Sequence, residues 1–516
     1  MDKKDSSSSN LKFFQYLSDE MLNHKLIYLL LLITFYFGTW VRTANLDKLL
    51  GFYYDQGRDF LTVAKILSGK LTLIGPTTGI EGVFHGPLYY YLLAPMFAIT
   101  GGDPAQMATM MGIFNSLAIL LIFIAGSLFF NRACGLLAAF MFAISLELVN
   151  FSRWFSNPSP QMVFTLLALI SLWMIAQKKR WGLPLLAFAA SFGFQFEAVS
   201  LITIIPACLV LFIWQRNIWL SFDRRSQVLS VLIILIGLSP YILFELRHNF
   251  LMTNAAAQLI AGNSSFKLNF ADVIWQRINF YLEVYNNLLM RDRPITIFLL
   301  VASFVIGIIN LKRQTLSTNI KILLIWTASP LATLLFYHGN YGYVWGYYLS
   351  PTLPSVILLV SFSAYFLWQN YWLKIVVAIF LILFIRGHQP LLANFTSPDI
   401  SYGRETIALG NQLQAIDWIY QDAKGQAFNA DVYVPPVVPY AYDYLIGWYG
   451  RKNYHQEPLD KQVQLLYTLY EVDPPHPERL AAWLSRQKGI APVIVRQASF
   501  GGITVERRQR LMIKDK

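Results

Sequence analysis

GPLYYYLLAPMFAIT, residues 86–100, is the stretch on which the topology turns. It is apolar enough to enter a bilayer, yet as a helix it would be only about 22 Å long against a hydrocarbon core of about 30 Å. Its two prolines and three tyrosines suit a helix lying at the interface better than one crossing it. Charge arbitrates between the two arrangements. If residues 86–100 cross, the basic loop Lys178-Lys179-Arg180 falls outside. If they do not, the N-terminal tail, Arg132, that loop, Arg216 with Arg224 and Arg225, Lys312 and Arg313 with Lys321, and Lys374 all fall on the cytoplasmic side. Loops rich in Lys and Arg stay inside, so the second arrangement is expected.

Outward from this stretch, apolar runs predict spans near residues 27–44, 106–130, 133–150, 160–176, 182–197, 198–214, 227–246, 294–311, 320–337, 345–367 and 374–389, about eleven in all. Composition agrees. The chain has 516 residues, of which 55% are hydrophobic, 16% aromatic and 14% charged, where soluble proteins carry about a quarter charged. The expected fold class is a polytopic α-helical membrane protein with a small C-terminal extracytoplasmic α/β domain, multi-pass in the cell (plasma) membrane. Residues 1–26 form a cytoplasmic tail, 27–389 the membrane domain and 390–516 the outer domain. The first run is too long for a signal h-region and has no small-residue cleavage site, so it reads as a retained anchor.

The net charge of +12 would suggest nucleic acid as a partner in a soluble chain. Here the segments placed inside hold about 15 Lys and Arg against 5 Asp and Glu, whereas residues 390–516 hold 14 against 13. The excess is topological, and nucleic acid is excluded as its explanation. Cys134 and Cys208 both lie in apolar runs and residues 390–516 contain none, so no disulfide framework or Cys metal cluster is available.

The C-terminal segment predicts a helix near 404–422, a strand near 428–434, a helix near 477–488 behind Pro474, Pro475 and Pro477, and strands near 490–498 and 502–507. Tyr440, Tyr442, Tyr444, Trp448 and Tyr449 have the chemistry to stack on sugars; core and interface packing is the plainer use for them.

Two outer loops, about 45–105 and 247–293, are long enough to carry function. Glu147, Glu197, Glu245, Arg247, His248, Arg386 and His388 all sit at outward ends of spans. A proton relay threads charges through the bilayer, whereas charges gathered at one face mark a site at that interface. Snorkelling at helix ends is the alternative. In the first loop YYDQGRDF (Tyr53–Phe60) sets Asp55 and Asp59 four apart with Arg58 beside them, on one face if helical, and such a carboxylate is suited to general-base work. The alternative is an amphipathic helix with a solvated charged face. EGVFHGPLYYYL (Glu81–Leu92) holds Glu81 and His85 at i, i+4, a weak zinc alternative, since Gly82, Gly86 and Pro87 oppose a helix and two ligands do not make a site. FELRHNF (Phe244–Phe250) brings Arg247 and His248 to the depth of a lipid phosphate, which Arg's planar fork of donors suits; a Glu245–Arg247 pair closing the helix would be the structural reading. YHGNYGYVWGYYLSPTLP (Tyr337–Pro354) adds His338, Tyr343, Tyr347 and Tyr348 at the same face. There is no GxxxxGK[ST], GxGxxG after a strand, GxSxG or HExxH, so a nucleotide-driven pump or serine hydrolase has no support.

Together YYDQGRDF and HGPLYYYL, ahead of many apolar spans and a trailing outer domain, resemble the class C glycosyltransferases of the protein O-mannosyltransferase and aminoarabinose transferase superfamily (glycosyltransferase family 39-like). The resemblance covers about residues 27–390 and is best over 53–100. It implies transfer of a sugar from a polyprenyl-phosphate donor to a lipid, glycan or protein acceptor on the outer side, usually with inversion at the anomeric carbon. Asp55 matches the family aspartate and would be the catalytic base. Where protein O-mannosyltransferases follow that Asp with Glu, this chain has Gln56, a departure that counts against a protein Ser or Thr acceptor. His85 stands where aminoarabinose transferases carry a Lys near the lipid phosphate. Neutral His binds phosphate less well, so Arg247, with His248 or Tyr347, would carry more of that task, with Arg58, Asp59, Glu81 and His338 in support. No cofactor is required, and a divalent metal is allowed. Two other classes stand beside this one. A flippase for lipid-linked sugars would want half-repeats and polar residues through the membrane, and an assembly factor would bind glycan through the C-terminal domain.

Overall fold

The computed structural model describes residues 20, 22–261, 270–337, 343–435 and 438–510. Its first part is helical: α1 (Lys25–Thr43), α2 (Leu46–Leu49), α3 (Tyr54–Leu67), α4 (Leu88–Thr100), α5 (Pro104–Phe129), α6 (Arg132–Ile144), α7 (Leu146–Arg153), α8 (Gln161–Ala176), α9 (Gly182–Phe196), α10 (Ser200–Trp214), α11 (Arg216–Leu220), α12 (Arg224–Arg247), α13 (Leu251–Ala261), α14 (Phe270–Leu288), α15 (Arg293–Asn310), α16 (Gln314–Leu334), a 3-10 turn (Gly346–Thr352), α17 (Leu353–Trp368) and α18 (Lys374–Thr396). All eleven apolar runs are helical over most of their length. Among the described residues six helical stretches are long and apolar enough to cross a membrane alone, and the bent pair α6–α7 makes a seventh. α8, α9 and α10 have 16, 15 and 15 residues, about 22–24 Å each, so they need a thinned bilayer or flanking residues to cross. Residues 88–100 form a short helix, as their length and prolines require.

Capping fixes several helix starts. The Asp103 carboxylate accepts from the Ala105 and Gln106 amides, with Pro104 at the first helical position. Asn131 accepts from Cys134 N–H. Asp292 accepts from Ile295 N–H, with Pro294 in the first turn of α15. Small residues then allow close packing. A Cβ on Gly126 would lie 2.6 Å from Gly135 Cα, so α5 and α6 touch backbone to backbone.

Two sequence expectations change. The run 133–150 is not one span: it breaks at Ser145, and α6 and α7 meet at 61°. The break is held from distant elements. Ser145 Oγ donates to Leu288 O at 2.8 Å, Leu146 N–H donates to His388 Nδ1 at 3.1 Å, and His388 Nε2 donates to Leu289 O at 2.9 Å. The Leu146 N–H at the bend and the Leu288 and Leu289 carbonyls at the end of α14 are thereby satisfied inside the apolar bundle. The region 247–293, read as a long loop, contains α13 and α14. α14 buries Val273, Tyr281, Val284, Tyr285 and Leu288 on one side, a helical stripe interrupted by enough polar residues to escape a search for spans.

Two arginines lock the same end of the bundle. Arg42 is fully buried and donates to Phe142 O, Ala143 O, Gly38 O and Ser152 Oγ. Arg153 Nη1 donates to Val41 O and Ala44 O, both at 2.9 Å. Arg42, on α1, thus satisfies carbonyls at the C-terminal end of α6, and Arg153, on α7, does the same for α1.

The C-terminal part is a four-stranded sheet with helices: α19 (Leu409–Ala423), β1 (Asn429–Tyr433), α20 (Tyr440–Asn453), β2 (Leu465–Glu471), α21 (Pro477–Ile490), β3 (Val493–Phe500) and β4 (Ile503–Gln509). The order is β1-β2-β4-β3. β1 and β2 are parallel, joined through α20, with Val432 opposite Leu469; β2–β4 and β4–β3 are antiparallel. α20 and β2 are additions to the sequence reading. The Tyr-rich run conceals the helix period of α20, and LLYTLYE lacks the alternation of a half-exposed strand because β2 is central and largely buried.

Candidate active site

α3 is the element that presents YYDQGRDF. Its start is fixed by Gln56, which accepts from Tyr53 N–H at 2.9 Å through Oε1 and donates to Phe155 O at 2.8 Å through Nε2. An amide can do both, whereas a carboxylate can only accept. In the first turn Asp55 stands out with about half of its side chain exposed. Arg58, one turn on, lies 2.9 Å from Asp55 Oδ1 through Nη1 and 2.8 Å from Asp59 Oδ1 through Nη2. Asp59 is buried, also accepts from Tyr90 Oη at 3.2 Å, and leaves Oδ2 without a partner among the described residues. Burial pushes the Asp59 carboxyl up to about 7, against the pull of Arg58.

His85 comes to this cluster on a short hairpin. Gly75 N–H donates to His85 O, His85 N–H donates to Pro76 O, and Thr77 pairs with Phe84. Glu81 stands exposed near the tip and His85 is buried at the base. The two are therefore not on one helix, and the i, i+4 spacing behind the zinc alternative has no helix to act through. His85 Nε2 instead faces Glu197 Oε2 at 3.6 Å, both side chains buried. Burial, and then the charge of Arg58, push the His85 imidazole down to about 4, so it is neutral at pH 7. Gln195 secures the strand leading out: its carbonyl accepts from Gly86 N–H and its side chain from Leu88 N–H. Glu197 lies between α9 and α10, and its sequence signal is its place at the outward end of an apolar run, in FQFEAVS. Its partner comes from far back in the chain, which no local pattern reveals.

Tyr347 in the 3-10 turn lies within the electrostatic reach of both Glu197 and Asp55 and packs edge-on against Tyr348 at 4.9 Å. Tyr348 Oη meets Tyr337 Oη at 3.4 Å. Arg277, buried on α14, donates to Leu334 O at 3.3 Å and interacts with Tyr281 and Tyr337. This arginine was hidden in what reads as loop sequence. Arg247 and His248 stand exposed at the end of α12. His248 stacks on Phe244 at 4.1 Å, and Phe244 meets Phe84, the neighbour of His85, at 6.0 Å. Glu245 does not close α12 on Arg247: it accepts from Met252 N–H, Thr253 N–H and Thr253 Oγ1 and so starts α13. His338 lies outside the described residues. Among those described, no group of three or more His, Cys, Asp or Glu has the arrangement to hold a metal ion.

The aromatic row of α20 packs. Tyr442, Tyr444 and Trp448 are buried; Tyr444 Oη donates to Gly102 O and Trp448 Nε1 to Gly101 O. Tyr440 lies 4.9 Å from Tyr54, and Tyr444 4.9 Å from Phe60.

Residues 84–244 match the family described as dolichyl-phosphate-mannose-protein mannosyltransferase. No curated protein matches the chain in sequence. In fold it is similar to ArnT from Cupriavidus metallidurans bound to undecaprenyl phosphate, at 12% identity and a TM-score of 0.56 over 94% of this chain and 98% of that one. The apo state of the same protein gives 11%, 0.55 and the same coverage. The archaeal oligosaccharyltransferase AglB from Archaeoglobus fulgidus, in complex with an inhibitory peptide and a dolichol-phosphate, aligns at 10% identity and a TM-score of 0.48 over 87% of this chain and 70% of that one. The sequence match is confined to residues 84–244, while the fold is shared with ArnT along nearly the whole of both chains.

Proposed function

We propose that this protein transfers a sugar from a polyprenyl-phosphate donor to an acceptor hydroxyl on the extracytoplasmic face of the cell membrane, with inversion at the anomeric carbon and Asp55 as the base. A lipid-linked donor fits the undecaprenyl phosphate named for ArnT and the family match. The observation that carries the reading is the placement of Asp55: a half-exposed carboxylate in the first turn of α3, oriented by Arg58, at the end of the bundle where His85, Glu197 and Tyr347 gather. The outward orientation of that end rests on the basic loops at the other.

On this reading Asp55 takes the proton of the acceptor hydroxyl as its oxygen bonds the anomeric carbon. The bond from that carbon to the phosphate oxygen breaks, and the lipid phosphate leaves with the electron pair. Fixed donors offset the charge that develops on it. Arg247, His248, His85 and Tyr347 remain the residues proposed for that phosphate. Arg277 joins them, because it is a buried fork beside the tyrosines that continue from Tyr347. One phosphate carries at most about two charges, which an Arg and a few neutral donors can balance, so no metal is required. The polyprenyl tail would lie between the apolar helices and bring its head group to the interface.

The test is incubation of the purified protein with short-chain polyprenyl-phosphate sugars and candidate acceptors, following release of the free lipid phosphate. Release that depends on acceptor is expected. Uptake or flipping of intact donor without release would support a flippase instead.

A further inference from the structure

The segment that launches α3 is held by the C-terminal domain rather than by the membrane helices alone. Leu50 O accepts from Leu409 N–H at 2.8 Å, Phe52 O accepts from Gln412 Nε2 at 2.9 Å, and Tyr53 Oη donates to Ile407 O at 2.8 Å. All three partners lie at or beside the start of α19. Gln412 is fully buried, so its bond to Phe52 O is shielded from water and its loss leaves a carbonyl unsatisfied.

The helix itself is clamped from the other side by α20. Gly57 stands between Gln56 and Arg58, and a Cβ built there would lie 2.3 Å from Ala441 N and 2.3 Å from Tyr440 C. The backbone of α3 therefore rests directly on the first turn of α20, two residues after Asp55. Tyr54 on Tyr440 and Phe60 on Tyr444 extend the same contact in both directions. Lys452 at the far end of α20 pairs with Asp103 at 2.9 Å, which ties that helix to the start of α5. Side chains at the head of α3 thus point where the C-terminal domain sets them.

We propose that the C-terminal domain is a working part of the active site: Gln412 and the Tyr440–Ala441 backbone under Gly57 are positioning groups that fix the helix start from which Asp55 reaches the acceptor. The proposal rests on the reading of Asp55 as base and gives the domain a role that glycan binding does not supply. A displaced base is costly, since an error of about 1 Å in a reacting group lowers rates by roughly a hundredfold. Arg247, His248, His85, Tyr347 and Arg277, the residues assigned to the donor phosphate, belong to other elements, so the clamp is expected to act on turnover more than on donor binding.

The experiment uses the full-length protein in detergent or nanodiscs with Gln412→Leu, Gly57→Ala and Tyr53→Phe. It measures turnover and half-saturation with a short-chain polyprenyl-phosphate sugar, and hydrogen exchange over residues 50–58. Gln412→Leu and Gly57→Ala are expected to lower turnover roughly tenfold to a hundredfold with donor half-saturation within about twofold, and to speed exchange over 50–58. Tyr53→Phe, which removes one exposed bond, gives a smaller loss in the same direction and keeps the test available should Gly57→Ala fail to fold. Wild-type turnover in both Gln412→Leu and Gly57→Ala overturns the proposal, as does a loss carried entirely by weaker donor binding. Asp55→Asn in parallel separates the two claims. If Asp55→Asn retains turnover, the base assignment falls and the positioning claim with it. If Asp55→Asn is inactive while the clamp variants turn over normally, only the positioning claim falls.

Discussion

Arg58 Nη1 lies 2.9 Å from Asp55 Oδ1, one turn along the same helix, while its Nη2 holds the buried Asp59. One planar fork thereby joins an exposed carboxylate to a buried one, a geometry that a point charge cannot copy. Arg58→Lys is expected to keep the fold and lower turnover about tenfold, because the orientation of Asp55 is lost. Arg58→Gln leaves Asp59 buried without its cation. That carboxyl then takes up a proton, so the stability loss, about 1–3 kcal/mol, should be larger at pH 8 than at pH 5.5. Melting curves at the two pH values check the order.

Glu471 carries a second pH dependence. It is buried on β2, accepts from Tyr442 Oη at 2.8 Å, and burial pushes its carboxyl up to about 7. Between pH ~4.5 and 7 the folded chain holds a proton that the unfolded chain has released, so stability falls as pH rises through that window. Glu471→Gln removes the effect. At pH 8 the variant should be more stable than wild type by on the order of 2–3 kcal/mol, with the advantage gone at pH 4.5. An equal difference at both pH values would contradict the assignment.

His85 is neutral at pH 7 and faces Glu197 at 3.6 Å. His85→Lys places a cation against that acid and beside the proposed phosphate position. The donor half-saturation concentration is expected to fall several-fold with the fold intact, since a charge-assisted bond to phosphate is about twice as strong as a neutral one. His85→Ala, which leaves Glu197 buried without its neighbour, should lower the melting temperature instead.

Arg247 is exposed at the end of α12. Arg247→Ala should weaken donor affinity and leave the rate at saturating donor nearly unchanged. Affinity equal to wild type would remove it from the phosphate site and leave Arg277 as the arginine to test. Treatment with EDTA is expected to leave turnover unchanged; a loss restored by a divalent cation would show that a metal takes part.

The apolar runs were legible because crossing a membrane imposes length and composition on a contiguous segment. The shortness of residues 88–100 could be read for the same reason. The break at Ser145 could not, because the groups that satisfy it, His388, Leu288 and Leu289, come from far along the chain. Asp55, Arg58 and Asp59 stand within five residues, so their shared helix face follows from spacing alone. The facing of His85 and Glu197, the burial of Arg277 and the seat of Gly57 on Ala441 are long-range contacts, and no local period encodes them. The aromatic residues of α20 were legible as a cluster, whereas their use in packing became clear only from their partners in α3 and at Gly101 and Gly102.

The central claim is that Asp55 removes the acceptor proton, and Asp55→Asn tests it most directly. The change keeps size and one acceptor oxygen for Arg58 while removing charge and basicity. The measurement is acceptor-dependent release of polyprenyl phosphate by the purified variant, beside its binding of the same donor. The account requires turnover to fall by roughly a hundredfold or more with donor binding and melting temperature close to wild type. Turnover near the wild-type rate would contradict it.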